Sequence, residues 1–330
     1  MASQETAPAA GALRKVAGIV VAVVIVQAIL VFIFAWPSSR ATPHNLPLAV
    51  VGPPAAVAGF TQGVAAAQPG GFSFTTYQTS TAAQQAVTGR LAYGAVVFSQ
   101  TGVTLYTASA ASPSVAALLA QAIPHAITSR TPTTTVTVTD LAPNPVHDPH
   151  GVVPTTGLIP LVITSIVIGV IFTLLIKDAR IRIVGVVVFA VLAGLGATTV
   201  MQSILGGLNG SWFGNAAFIA LLVLAVTAPT AGLGAVLGLP GIGVAAAIIF
   251  FFGYPFSGAT SAPELLPTPW GAIGQFVPPG AGSVGLRAVA FFNGARVAMP
   301  LTVLAVWALV GLVLLAVGLR RKPQGSQATA

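Results

Sequence analysis

His147, Asp148 and His150 set two imidazoles and a carboxylate close together in the stretch HDPH. These side-chain types can hold a transition metal, but only when the fold fixes their geometry. Here Pro143, Pro145 and Pro149 surround them and make the stretch an extended linker. The chain has no cysteine, which excludes disulfides, thiol catalysis and zinc–thiolate sites. The serines lack a paired histidine and carboxylate, and the five acids (Glu5, Asp140, Asp148, Asp178 and Glu264) are scattered. None of the three lysines follows a glycine, so no G-x-x-x-x-G-K-[ST] loop exists to cradle a nucleotide phosphate. No catalytic, cofactor-binding or metal site is expected, and the chain does not read as an enzyme.

The remaining polar candidates lie in apolar surroundings. Gln27, Thr198, Thr199 and Gln202 interrupt long apolar runs, where such side chains hydrogen-bond between helices or line a path. No such run contains an acid or a histidine, although ion-coupled carriers usually need ionisable groups there. Glu264 opens the stretch ELLPTPWGAIGQFVPPGAGSVGLR, within reach in principle of Arg287 or Arg296. An ion pair at that place or a contact to a substrate headgroup are its two readings.

The elements that must position these residues follow from composition. The chain has 330 residues, 55% hydrophobic and 5% charged, against roughly 25% charged in soluble domains. It therefore reads as an integral membrane protein surrounded by membrane lipids. The net charge of +8 does not point to nucleic acid, because the cations sit at the ends of apolar runs. The heavy use of Ala, Gly, Val and Pro, with Arg favoured over Lys, fits a GC-rich bacterial genome.

After a cytoplasmic tail, residues 1–15, the run Val16–Trp36 is long enough to cross a bilayer and reads as an uncleaved signal anchor. Arg14 and Lys15 before it place the N-terminus inside. Residues 37–155 hold no spanning run. Their short apolar and alternating stretches, with a helix starting at Ser112-Pro113, predict the order β-α-β-α-β-β-α-β. This is an extracytoplasmic α/β domain inserted between the first two transmembrane helices.

Residues 156–319 carry helices two to six. The expected spans are Gly157–Ile176, Ile183–Leu205, Phe213–Gly232, Val244–Phe256 and Ala298–Leu319. Lys177, Arg180 and Arg182 mark an inner turn, and Arg320, Arg321 and Lys322 end the last span inside, before a cytoplasmic tail over 320–330. The fold class is thus a six-helix membrane bundle with an inserted α/β domain, multi-pass in the plasma membrane, both termini cytoplasmic. In Gly234–Gly238 a small-xxx-small pattern offers packing within the chain or a dimer face.

Segment 264–293 falls on the outer side before the last span. It is too apolar for a free loop and too rich in proline to span. It predicts two short interfacial helices, around Glu264–Phe276 and Gly282–Asn293, broken at VPPGAG. Glu264, Pro267, Trp270, Phe276, Pro278, Pro279 and Arg287 are the candidate gate or lid residues.

This organisation resembles the permease subunits of type-2 ABC exporters, nearest the YhgE/Pip (phage infection protein)-like and nitrosoguanidine-resistance-like branch. The carrying residues are NLPLAVVG opening the domain, TDLAPNPVHDPHG closing it, and SGATSAPELLPTPWGAIGQFVPPGAGSVGLRAVAFFNG before the last helix. The resemblance implies export of an amphipathic or lipid-like compound by a homodimer, with energy from a separate ATPase subunit. Two elements of that family are missing: the N-terminal tail has no amphipathic face, and the first inner loop is only KDARIR. Their absence favours the alternative, a non-transporting envelope scaffold or receptor whose ectodomain binds a partner.

Overall fold

The computed structural model describes residues 6–129 and 131–318. Arg130 and the expected inner cations Arg320, Arg321 and Lys322 lie outside the described residues. The first helix, α1, runs Thr6–Ser39. It is followed by β1 (Leu46–Val51), α2 (Pro54–Ala67), β2 (Phe72–Thr76), α3 (Ser80–Thr88), β3 (Gly94–Ser99), β4 (Gly102–Thr107), α4 (Pro113–Thr128) and β5 (Val136–Asp140).

The strands form one five-stranded sheet in the order β2-β1-β3-β4-β5. Every neighbouring pair is parallel except the β3–β4 hairpin. β1 is buried on both faces, as a central parallel strand must be, and its Val50 stands opposite Val96 of β3. One face packs Leu46, Leu48, Val50, Val96 and Leu105 under α2 and α4. Fully burying such side chains stabilises by roughly 1.5–3 kcal/mol each. The other face packs Ala49, Val51 and Ala95 under α3, and Phe292 from far along the chain joins it. α4 starts where its sequence directs: the Ser112 hydroxyl accepts from Val115 N at 3.3 Å, with Pro113 in the first turn.

The helical region begins with α5 (Val152–Thr156), which continues through Gly157 into α6 (Leu158–Leu175). Then follow α7 (Ala179–Thr198), α8 (Trp212–Leu237), α9 (Leu239–Ala246), α10 (Trp270–Gly274), α11 (Pro278–Phe291) and α12 (Ala298–Gly318). α7 continues as a π-helical segment, Thr199–Ile204, and α9 as another, Ala247–Phe252. Among the described residues five helices are long and apolar enough to cross a membrane, at Gly11–Ser39, Val152–Leu175, Ala179–Ile204, Trp212–Leu237 and Ala298–Gly318. They are compatible with a membrane helical bundle. The expected fifth span is shorter: Leu239–Phe252 has 14 residues, about 21 Å at 1.5 Å per residue, against a hydrocarbon core of about 30 Å.

α8 is the centre of this region and packs against α6, α7, α9, α11 and α12. Small residues let the backbones approach. A Cβ on Gly311 of α12 would lie 2.2 Å from Pro229 N, and one on Gly194 of α7 would lie 2.5 Å from Ala216 O. In the GAVLG pattern, Gly234 packs against Thr173 and Ile242 of the same chain, while a Cβ on Gly238 would meet nothing within 4 Å. The KDARIR turn is closed by its own side chains. Asp178 caps α7 by accepting from Arg180 N and Ile181 N, while buried Arg182 donates back to the Ile176 and Thr173 carbonyls that end α6.

Candidate functional site: a cationic cavity where the sheet meets the helices

Segment 264–293 is laced into the fold rather than laid on it. Thr42 N and His44 N donate to the carbonyls of Leu265 and Glu264 at 3.0 and 2.8 Å. The Ser112 hydroxyl donates to Ser261 O at 2.7 Å. Ala262 and Leu265 enter the sheet's apolar core. Pro263–Leu265 form a single 3-10 turn, and α10 and α11 follow.

The two expected helices therefore differ in their bounds and depth. The break falls at Gln275–Val277, and Pro278 and Pro279 open α11. Their missing N–H groups cost nothing there, because the first turn of a helix has no internal partner for them. α11 is also buried within the protein along most of its length. Its small residues press on α8: a Cβ on Gly282 would lie 2.7 Å from Leu222, and one on Gly285 would lie 2.3 Å from Phe218. Trp270 stacks on Phe256 at 5.1 Å between ring centres, close to the end of the short apolar helix. Phe276 is 61% exposed, and its carbonyl accepts from Trp307 Nε1 of α12 at 2.8 Å. Pro267 is partly buried on the way into α10.

Three charged residues meet at this seam. Arg287 of α11 is buried and donates to Ala110 O at 3.1 Å, Thr155 Oγ1 at 2.8 Å and Gly151 O at 3.4 Å. It thereby ties α11 to the sheet region and to α5. Arg90 donates to Val284 O at 2.8 Å and lies over the Phe292 ring at 5.4 Å. Glu264 accepts from Tyr93 Oη at 2.8 Å. The pairing expected between Glu264 and Arg287 or Arg296 is replaced: Glu264 takes a phenol from the sheet region, and Arg287 takes neutral carbonyl and hydroxyl oxygens.

The electrostatics follow from that placement. Burial lowers the Arg90 pKa and Arg296 adds to this, while Tyr93 and Glu264 oppose it. Burial pushes Arg287 down to about 10, with Arg90 acting the same way and Asp148 and Tyr93 opposing. Arg287 stays charged near neutral pH. Burial, then the negative Glu264 and its hydrogen bond, hold the Tyr93 phenol well above its ordinary value, so it remains a donor.

Around these groups lies a cavity of about 610 Å³. Its lining includes the polar side chains of His44, Arg90, Tyr93, Glu264 and Arg296 and the apolar ones of Leu266, Phe276 and Met299. The His44 Nδ1 is buried and has no hydrogen-bond partner among the described residues. Neither Arg90 nor Tyr93 was singled out from the sequence. The signal available was an arginine and a tyrosine beside a strand that is otherwise apolar.

The other sequence candidates separate. Gln202 makes the interhelical contact expected of it: its Oε1 accepts from Asn215 Nδ2 of α8 at 2.8 Å, and its Nε2 donates to Gly210 O. Asn215, a lone amide in an apolar run, was overlooked. Thr199 bonds back to Leu195 O in its own helix. Thr198 is fully buried with its hydroxyl unpartnered among the described residues, as are Thr227 Oγ1 and Asn215 Oδ1. Gln27 is exposed on α1 and has no hydrogen bond to another helix among the described residues; α1 meets Phe250 and Tyr254 near its C-terminal end, through Phe34. In HDPH, Asp148 caps α5, each carboxylate oxygen accepting from one of Val152 N and Val153 N at 2.8 Å, and His147 and His150 are exposed. Among the described residues no group of three or more His, Asp or Glu is placed to hold a metal.

No family model, curated protein or solved structure matches this chain.

Proposed function

We propose that this chain is an integral membrane transport component, a permease-like subunit that exports an amphipathic or lipid-like compound. The observation that carries the reading is the cavity at the seam. Its lining comes from the sheet region and from segment 264–293 and the start of α12, and it combines charged with apolar side chains. In this reading there are six spans, with Leu239–Phe252 as a short fifth, both termini are cytoplasmic, and residues 37–155 face outward in the cell membrane. The exporter is permease-like in the type-2 ABC sense, works as a homodimer, and takes energy from a separate ATPase. The gate is segment 264–293, which contributes Glu264, Leu266, Phe276 and Val284 to the cavity lining.

Reconstitution tests the function. Vesicles holding the chain, co-purified with its nucleotide-binding partner, should move a fluorescent lipid analogue between leaflets when given ATP. Absence of movement, with no such partner recovered from the native host, sinks the exporter reading. The topology is tested separately on this cysteine-free background. Single cysteines at Ser80 and Ser211 should react with an impermeant thiol reagent on intact cells, and one at Lys177, exposed beside buried Ala179, should react only after the membrane is opened.

A second reading has its own support. The KDARIR turn is closed by Asp178 and Arg182 and offers no coupling helix to an ATPase. A non-transporting scaffold would need none. Crosslinking through the sheet region that captures an envelope partner, with no flux in vesicles, would favour it.

A further inference from the structure

We propose that the cavity at the seam binds the headgroup of an anionic amphiphile, with Arg90 and Arg296 facing the charge and Leu266, Phe276 and Met299 taking the first part of its chain. The inference deepens the transport reading and rests on it for the outward position of the cavity.

Charge is the first argument. The lining holds Arg90 and Arg296 against Glu264, and the Glu264 carboxylate already accepts from Tyr93. Arg287 stands close enough to repel Arg90. Arg296 is exposed and bound to no described residue. Like charges gathered beside low-dielectric walls favour an anion between them. A guanidinium also matches phosphate or carboxylate by paired N–H donors.

Shape is the second argument. About 610 Å³ lies within the usual range of small-molecule sites. It holds a headgroup and a few carbons but not a whole lipid. Phe276 and Met299 are 61% and 44% exposed at the edge, and α12 begins at Ala298. A chain leaving past these residues runs beside an apolar helix, so the polar and apolar halves of the ligand each meet matching walls. A free anion would use only one half.

The test is binding of pyrene-labelled phosphatidylglycerol to the purified full chain in nonionic detergent. Saturable binding is expected, with labelled phosphatidylcholine bound at least tenfold more weakly. Arg296→Gln should weaken phosphatidylglycerol about tenfold, the loss of one charge-assisted contact, and Arg296→Lys should restore part of it. Phe276→Ala should weaken it a few-fold. Both sites are exposed, and unchanged circular dichroism and elution would show that the variants fold. Equal binding of the two lipids, or indifference to Arg296→Gln, overturns the proposal. Displacement by inorganic phosphate as effectively as by unlabelled lipid also overturns it, leaving a plain anion site. Binding needs no transport, so selective binding without flux removes the exporter reading alone. Flux with charge-blind binding removes this proposal alone.

Discussion

α1 and α8 are both long apolar helices, and they have opposite surroundings. The most apolar 18-residue window has mean hydropathy 3.1 in α1 and 2.1 in α8, yet none of it is buried in α1 and 72% is in α8. The more hydrophobic helix is the one the protein leaves uncovered. α1 is dominated by Val, Ile, Leu and Phe, whereas α8 carries Gly, Ala and Thr along most of its length, with one buried amide, Asn215. Where the surroundings are as apolar as the helix, hydrophobicity does not drive helices together; close packing and hydrogen bonds do. Small residues allow that approach. Large β-branched ones leave a smooth surface suited to lipid or to another apolar surface. The difference teaches that hydropathy marks a membrane helix and side-chain size decides which of them faces protein.

The comparison can be broken most sharply at the α8–α12 seam. Gly311→Leu places a side chain where Cβ alone would sit 2.2 Å from backbone, and no flexible neighbour can give way. A loss of about 3 kcal/mol, read as a large drop in thermal midpoint in detergent, is expected. A native midpoint would mean that the seam is looser than described.

A smaller effect is expected from the buried amide. Asn215→Ala removes donors to Gln202 and to the Asn209 carbonyl and should cost about 1 kcal/mol. Gln27→Ala on α1 should change stability by less than about 0.5 kcal/mol. Equal costs at the two sites would remove the distinction between the helices.

The smallest effect is expected within α1. A Cβ on Gly18 would meet nothing within 4 Å, so Gly18→Leu should stay within about 0.5 kcal/mol of the parent. A loss comparable to that of Gly311→Leu would show that another protein surface covers α1 in solution.

The proline pair shows why part of the candidate site was hidden. Pro278 and Pro279 forbid a helix running through them from either side, and that much is local. Whether they end one helix or begin the next depends on which flank has packing to gain. Gly282 and Gly285 supply it by admitting Leu222 and Phe218 of α8, a partner distant in the sequence, while Gly280 admits the backbone of Gly274. Glu264 shows the same limit. An acid near two arginines reads as an ion pair, but its partner is the Tyr93 phenol, 171 positions distant. Arg287 in turn reaches carbonyls 136 and 177 positions away. Gln202 was legible because a lone amide in an apolar run must find a partner nearby; which partner was not.

The sequence by itself determined the apolar runs, the alternation of strands and helices over 46–140, the Ser112-Pro113 helix start, and the cationic KDARIR turn. These depend on periodicity, caps and composition within a few residues, which act before any distant contact forms. Only the tertiary structure decided that α8 is central and α1 apart, that α11 is buried within the protein, and that Arg90, Tyr93, Glu264 and Arg296 share one cavity. Those outcomes turn on the fit of side-chain volumes and on unpaired polar groups finding partners across the fold. Neither quantity is a property of any short stretch of the chain.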